Sequence, residues 1–454
     1  MTDEKTRLFI AAHRHEDVRK LALQASRHPD VDMATALCQI AGWQAAKQKI
    51  PSWAAIDDIA YPQHLSMEQC SSEHTAQYKA DICQRLLADA THPTTLIDLT
   101  GGLGVDFAFM AKHFYRATYV EQQEYLCDIA QHNLPLLGID HANVVCTDCT
   151  TALGDIHDAD FIFIDPARRD QNGARTFAIA DCTPDVLAIE DQLLEKAQWV
   201  MIKLSPMLDW HKTMDDLQQN HPNVVREIHI VAVGNECKEL LFVISAKSLA
   251  IHNVSLYKTT PEIKHSPTLY CHNDEQEFVC DLGVQEFRTD RSNLSPLTSN
   301  LSPLTPNLSP LTPNPSPLTS YPSPLTSHPS PLNISYLYEP NAAIMKAGCF
   351  AELTQRWPVW QLAPNSHLFF SSEELPDFPG RAFQVTGMGT MNKRQLKALT
   401  AGIEKANITV RNFPLSVAEL RRRLKIKDGG DHYIFASTTE DNTHMLFVCR
   451  KTQK

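Results

Sequence analysis

The sequence predicts an α/β protein: an open, mostly parallel sheet, a helical region before it, and a compact module near the C-terminal end. Between residues 94 and 245 short apolar runs alternate with amphipathic segments of helix length, the pattern of βαβ units. The last two runs, "EIHIVAV" (227–233) and "ELLFVIS" (239–245), are joined only by "GNECK". That is too short for a crossover helix, so they must be antiparallel neighbours. With 454 residues the chain also exceeds a single core, and two or three domains are expected.

Residues 1–90 read as helical, with few glycines and long stretches such as "MATALCQIAGWQAAKQKI", punctuated by Pro51 and Pro62. The sheet region, 91–248, then supplies "TLIDL" (95–99), "ATYVE" (117–121), "NVVCTD" (143–148), "FIFID" (161–165) and "WVMIKL" (199–204) before the antiparallel pair, seven strands in all. Residues 249–293 read as a connecting region. From 294 to 331, Ser-Pro-Leu recurs every seven residues at Ser295, Ser302, Ser309, Ser316, Ser323 and Ser330. Seven is the coiled-coil period, but a proline in each repeat forbids helix, and the composition predicts extended chain without a core. Ordered patterning resumes at "YLYEPNAAIMKAGCFAEL".

Composition narrows the class. Apolar residues make up 43% and charged residues 21%, ordinary for a globular protein. No apolar run approaches the roughly 18 residues that span a bilayer, and "MTDEKTRLFIAAHRHED" has no signal-peptide core, so a cytoplasmic protein without a membrane partner is expected. The twelve cysteines are scattered; Cys146 and Cys149 form an isolated C-x-x-C without a completing pair, and no metal site is expected. Net charge is −12, yet residues 391–427 hold ten Lys/Arg against Glu404 and Glu419, a basic window on an acidic body.

The chemistry gathers at the strand ends. "DLTGGLGVD" (98–106) is a Gly-rich turn after the first strand, suited to close approach of a ligand. With Gly102 and Gly104 as the first two glycines of G-x-G-x-x-G, the third would fall on Phe107, so the dinucleotide pattern fails. Asp98 just before the glycines is instead the pattern of S-adenosylmethionine pockets. Glu121 ends the second strand, where it can accept from ribose hydroxyls. Asp148 ends the third beside Cys149, where it can accept from an adenine amine, and Asp165-Pro166 end the fourth. Each acid alone would pass as a solvated loop carboxylate; in an open parallel sheet all four face one crevice.

On these residues the 94–245 region resembles a class I S-adenosylmethionine-dependent methyltransferase, a Rossmann-like seven-stranded sheet with an antiparallel last strand. The chain more widely resembles an uncharacterised bacterial family with a C-terminal THUMP-like domain. The motifs are "LSMEQCSSEHTAQYKA" (65–80), "DLTGGLGVD", "DPARRD", "YEPNAAIMKAG" (338–348) and "RNFPLSVAELRRRLKIKDGGDHYIFA" (411–436). The resemblance implies small α+β C-terminal domains, ferredoxin-like over 336–378, to which 249–293 would also contribute, and THUMP-like over 379–454. It further implies structured RNA, tRNA or rRNA, as substrate. By position, Asp98, Gly102 and Gly104 would meet the methionine part of the cofactor, Glu121 the ribose, Asp148 and Cys149 the adenine, and Asp165 and Pro166 the acceptor base.

The fourth motif departs from the amino-methyltransferase pattern Asp/Asn-Pro-Pro-aromatic, because Ala167 replaces the second proline and Arg168 the aromatic. Uracil-C5 chemistry needs a cysteine nucleophile, which "IKLSPML" (202–208) lacks; Cys182 is the nearest after the motif. Arg168 and Arg169 read as a phosphate grip or a stacking plane for the target base, or as a solvated pair. Arg421, Arg422 and Arg423 read as a phosphate-binding stripe on a helix capped by Ser416, with Leu420 and Leu424 inward, or as a plain solvated face. Gln69 with Ser71 or Ser72 would line the pocket, unless the serines merely cap a helix. Lys203 and Ser205 face the same crevice. The alternatives are a small-molecule or protein methyltransferase, and a non-catalytic RNA-binding protein that keeps a cofactor pocket.

Overall fold

The computed structural model describes residues 3–168, 178–246, 266–282 and 334–452. They form two compact units, 1–282 with 341–349, and 283–340 with 350–454. The Ser-Pro-Leu tract of 294–331 lies outside the described residues.

The first unit opens with helices α1 (Glu4–His13), α2 (Val18–Leu23), α3 (Met33–Lys49), α4 (Pro51–Ala54), α5 (His64–Gln69) and α6 (Glu73–Leu86). Asp3, Asp17 and Asp32 cap α1 to α3, each side chain accepting from the amide three residues on. Pro51 starts α4 at a position where a missing N–H leaves no helix acceptor unmet. Ala46, Trp53 and Ala76 of these helices and Tyr61 between α4 and α5 share one apolar cluster with Phe107 and Phe161, so this part of the helical region packs into the sheet's own core, while Phe9, Leu21, Ala36 and Ile40 form a separate cluster.

Then follow β1 (Thr95–Asp98), α7 (Val105–Met110), β2 (Arg116–Glu121), α8 (Glu124–Leu136), β3 (Ala142–Cys146), α9 (Cys149–Asp155) and β4 (Ala159–Ile164). Two short strands, β5 (Ala167–Arg168) and β6 (Cys182–Thr183), pair with each other outside the main sheet. After them come α10 (Val186–Lys196), β7 (Ala197–Leu204), α11 (Trp210–Leu217), β8 (Val225–Val233), β9 (Glu236–Ile244), β10 (Thr268–Asn273) and β11 (Gln276–Asp281). Phe161 to Ile164 are fully buried, as a strand covered on both faces by helices requires. The strand order is β3-β2-β1-β4-β7-β9-β8-β10-β11, with β9 antiparallel to both neighbours. The order reverses between β1 and β4, which is where a ligand crevice opens at the carboxyl ends of the strands.

One expectation needs correction. The sheet has nine strands, because residues 268–281, read as connector or ferredoxin-like, add β10 parallel to β8 and β11 antiparallel to β10. Aromatic and ionic contacts hold them: Tyr270 stacks on His229 with centroids 4.5 Å apart, and Arg85 of α6 lies 5.2 Å over Tyr270 while chelating Glu227 at 2.7 and 2.6 Å. The region 336–378, expected to be ferredoxin-like, contributes to both units. This region begins with β12 (Tyr336–Pro340), but Asn341–Cys349, which carry α12 (Ala342–Ala347), belong to the first unit. Asn341 caps α12, Asn235 accepts from the Ala342 amide at 2.9 Å, and Lys346 donates to the Leu208 carbonyl at 2.7 Å.

The second unit continues with α13 (Phe350–Arg356), β13 (Trp360–Gln361), β14 (Phe369–Ser371), β15 (Gly380–Thr390), α14 (Lys393–Leu399), β16 (Asn407–Arg411), α15 (Val417–Leu424), β17 (His432–Thr438) and β18 (His444–Lys451). One sheet, β13-β14-β12-β15-β18-β17-β16, runs across the expected 378/379 boundary. Leu337, Phe370, Phe383, Phe435 and Phe447 pack together from both sides of it.

Candidate active site

A crevice of about 1060 Å³ lies at the carboxyl ends of β1, β2, β3, β4 and β7, and it gathers the acids that the sequence placed there. Its floor is the glycine turn. Gly102 and Gly104 have φ of +55° and +84°, the left-handed region that favours glycine. At Gly101 the constraint is space: an added Cβ would stand 2.1 Å from the Tyr119 ring. The Tyr119 hydroxyl in turn donates to the Gly102 carbonyl, which fixes the loop.

Asp98 is buried, and its Oδ1 accepts from the Thr100 amide at 2.9 Å. Burial pushes its carboxyl well above the usual carboxylate range, with Asp106 and Asp165 adding to the rise. Glu121 splits its oxygens between two amides, Gly102 N and Gln123 N, each at 2.9 Å. Each oxygen keeps a second lone pair, so the carboxylate still has capacity for a diol. Asp148 caps α9: its Oδ1 accepts from the amides of Thr150 and Thr151 at 3.0 Å, and both threonine hydroxyls bond to it. These bonds, led by the Thr150 hydroxyl, hold its pKa below the ordinary value. Beside it Cys149 is half-buried, and burial pushes its thiol up to about 12. A thiol held neutral in this way is no nucleophile near pH 7.

Asp165 is anchored by its own amide, which donates to the Thr100 hydroxyl at 2.7 Å. Its Oδ2 accepts from Lys203 Nζ at 2.6 Å, and its side chain is 39% exposed into the crevice that Pro166 and Ala167 also line. The backbone of Arg168 pairs with that of Cys182, closing the turn. The side chain of Arg168, and Arg169 with the loop to 177, lie outside the described residues. Cys182 lines the crevice but is buried.

Both expectations for the segment before α6 hold at once. Ser72 caps α6, accepting from the Thr75 amide at 3.3 Å, while Gln69 and Ser71 line the crevice.

A cluster that the sequence did not reveal sits behind Asp165. Lys203 also reaches Asp106 Oδ2 at 3.2 Å and Ser71 Oγ at 3.0 Å. Asp106 Oδ1 faces Lys79 at 3.2 Å, and Lys79 binds Glu239 at 2.5 Å. Burial alone would lower Lys203, but Asp106 and Asp165 outweigh it and hold its pKa well above normal. Burial would raise Asp106, but Lys203 and Lys79 draw it down to about 2. The available signal was Lys79 itself, a lone charge among Thr75, Ala76, Tyr78, Ala80 and Ile82 on the buried face of α6.

In the second unit Ser416 caps α15 through a capping box with Glu419, and Leu420 is buried. Arg422 and Arg423 are exposed, as are Lys425 and Lys427. Arg421 differs: it is half-buried, bonded to Asp428 at 2.6 Å and to the Ala406 carbonyl at 3.1 Å. Arg411, another member of the basic window, turns inward and pairs with buried Glu339 at 2.8 Å beside Arg381.

Family models match residues 336–379 as a ferredoxin-like domain and 380–451 as a THUMP domain-like module. A crystal structure from Porphyromonas gingivalis W83, designated a methyltransferase, superposes over 100% of both chains with a TM-score of 0.72 and 29% identity. This chain has the architecture of a class I methyltransferase with a THUMP-like C-terminal domain. The human methyltransferase 10 domain containing protein matches 46% of the chain and 97% of its own, at 14% identity and a TM-score of 0.35. A SAM-dependent methyltransferase from Agrobacterium tumefaciens matches 41% of the chain and 65% of its own, at 17% identity and 0.30. Comparison with curated proteins finds no match. Among the described residues of this methyltransferase fold, no helix is long and apolar enough to cross a membrane.

Proposed function

We propose that the chain transfers a methyl group from S-adenosylmethionine to a base in structured RNA, tRNA or rRNA. The observation that carries the reading is the crevice. A side-chain-free glycine cradle and three acids at strand ends, Asp98, Glu121 and Asp148, face the same space as the partly exposed Asp165 carboxylate on the adjoining strand. The residues fit the cofactor. Gly101, Gly102 and Gly104 leave room that any Cβ would fill or strain, Glu121 keeps free lone pairs, and an anionic rim suits a cation. Bound there, S-adenosylmethionine supplies an electrophilic methyl on a sulfonium.

The protein's own part is alignment and exclusion of water. Asp98 meets the amino-acid end, Glu121 the ribose, and Asp148 with Cys149 the adenine. Asp165 accepts a hydrogen bond from the acceptor group, orients it toward the methyl, and is the nearest base for the proton released as the new bond forms. A base inside a helix must first leave its stack. The exposed Arg422 and Arg423, on a module whose type binds RNA, support the choice of RNA over a small molecule.

The test incubates the full chain with labelled S-adenosylmethionine and total RNA from a strain lacking it, then identifies the modified nucleoside. Label in one nucleoside, reduced about 100-fold or more by Asp165→Ala, is the expected result. Cofactor binding without transfer to any RNA fraction would leave the non-catalytic alternative; transfer to small molecules or protein alone would leave the other.

A further inference from the structure

The lysine behind Asp165 has more neighbours than an ordinary ion pair requires. An ammonium carries three protons, and Lys203 has an acceptor for each: Asp165 Oδ2 at 2.6 Å, Ser71 Oγ at 3.0 Å and Asp106 Oδ2 at 3.2 Å. None is left to donate to a substrate. The side chain is 13% exposed, while Asp106 is 10%, Glu239 4% and Lys79 fully buried. Lys79 on α6, Asp106 on α7, Lys203 on β7 and Glu239 on β9 thus tie four elements together, and the chain of charges ends at one exposed group, the Asp165 carboxylate. Asp165 Oδ1 has no partner among the described residues.

We propose that Lys203 is a positioning residue for methyl transfer: it clamps Asp165 Oδ2 so that Oδ1 alone serves as the acceptor presented to the nucleophile. The role rests on the reading of Asp165 given under Proposed function. A carboxylate at a strand end has two rotatable bonds, and misplacing a reacting group by about 1 Å can reduce a rate about 100-fold. Fixing one oxygen with a cation that is itself held by Ser71 and Asp106 removes that freedom. The same cation offsets the Asp165 charge, so the crevice presents a directed acceptor with a reduced attraction for cations.

That second consequence supplies a test without RNA. Sinefungin carries an amine where the transferred methyl stands, whereas S-adenosylhomocysteine is neutral there. In full-length Lys203→Met the affinity of sinefungin relative to S-adenosylhomocysteine should rise about 10-fold, because the carboxylate loses its built-in counter-ion. A lysine that only supports the fold would move both affinities together. On RNA, kcat should fall about 100-fold with KM within a factor of two, since orientation and not binding is lost. If Lys203→Met fails to fold, Lys203→Met/Asp106→Asn removes the buried pair together and the same ratio is measured. An unchanged ratio in a folded variant overturns the positioning role. A shifted ratio in a protein that methylates no RNA overturns the substrate reading and leaves the clamp standing.

Discussion

The two ends of the crevice use carboxylates in opposite ways. At the end proposed for the methyl donor (the donor end), Glu121 and Asp148 are satisfied by backbone amides and threonine hydroxyls of their own loops, within a few residues in sequence or one strand away. At the end proposed for the methyl acceptor (the acceptor end), Asp106, Asp165 and Glu239 are satisfied by lysines that arrive from α6 and β7, up to 160 residues away. Local bonding makes a rigid cradle from a short motif. Long-range ion pairing makes the other end depend on the whole first unit being assembled. The donor end should therefore tolerate changes elsewhere in the fold, and the acceptor end should not.

The sharpest way to break this contrast is Lys79→Met. It leaves Glu239 and one oxygen of Asp106 buried without a cation, so stability should fall by about 3–5 kcal/mol, read by urea unfolding. A loss below about 1 kcal/mol would show that the acceptor end does not rely on this pair. A smaller effect, about 1–3 kcal/mol, is expected for Gly101→Ala, whose Cβ meets the Tyr119 ring at 2.1 Å. Cofactor affinity should drop with it, because the ring and the Gly102 carbonyl must move together; calorimetry on S-adenosylhomocysteine checks this.

The smallest effect sharpens the donor end itself. Burial raises Asp98 well above its unfolded value, so the folded protein favours the protonated form, and stability is lost as pH rises through that higher value. A ligand ammonium docking there should favour the ionised carboxylate and so expel protons on binding S-adenosylhomocysteine, seen as a binding enthalpy that varies with buffer ionisation enthalpy. Asp98→Asn should abolish the buffer dependence and flatten the decline of stability with pH. A buffer-independent enthalpy in the native protein would remove Asp98 from the ammonium site.

This difference also explains what could be read from the sequence. The donor end is local, so Asp98, Gly102, Gly104, Glu121 and Asp148 announce themselves at the ends of apolar runs, and the structure brings all five to one crevice. Lys79 and Glu239 do not, because their meaning depends on a pairing 160 residues apart that no periodicity encodes. Asp106 sits inside the quoted glycine motif, yet nothing in the motif says that its partners are lysines. Among the arginines, 421 to 423 look equivalent in sequence, but Asp428, beyond the left-handed Lys425 that ends α15, pairs with Arg421, whereas Arg422 and Arg423 are exposed. For the fold, the antiparallel pair was legible because "GNECK" forbids any other solution. The strands β10 and β11 were not: "TLYCHN" alternates over six residues only, and their place beside β8 is decided by Tyr270, His229 and Arg85.

The strand β15 pairs with β12 on one side and β18 on the other, and so joins what the family models divide at residues 379 and 380. In folding terms the two modules are one cooperative block, expected to exchange amide protons and unfold together. A truncation designed at that boundary would strip β12 of a neighbour over five residue pairs and uncover Leu337, Phe370 and Phe383. The product would be a raw sheet edge prone to self-association, not an isolated THUMP-like domain.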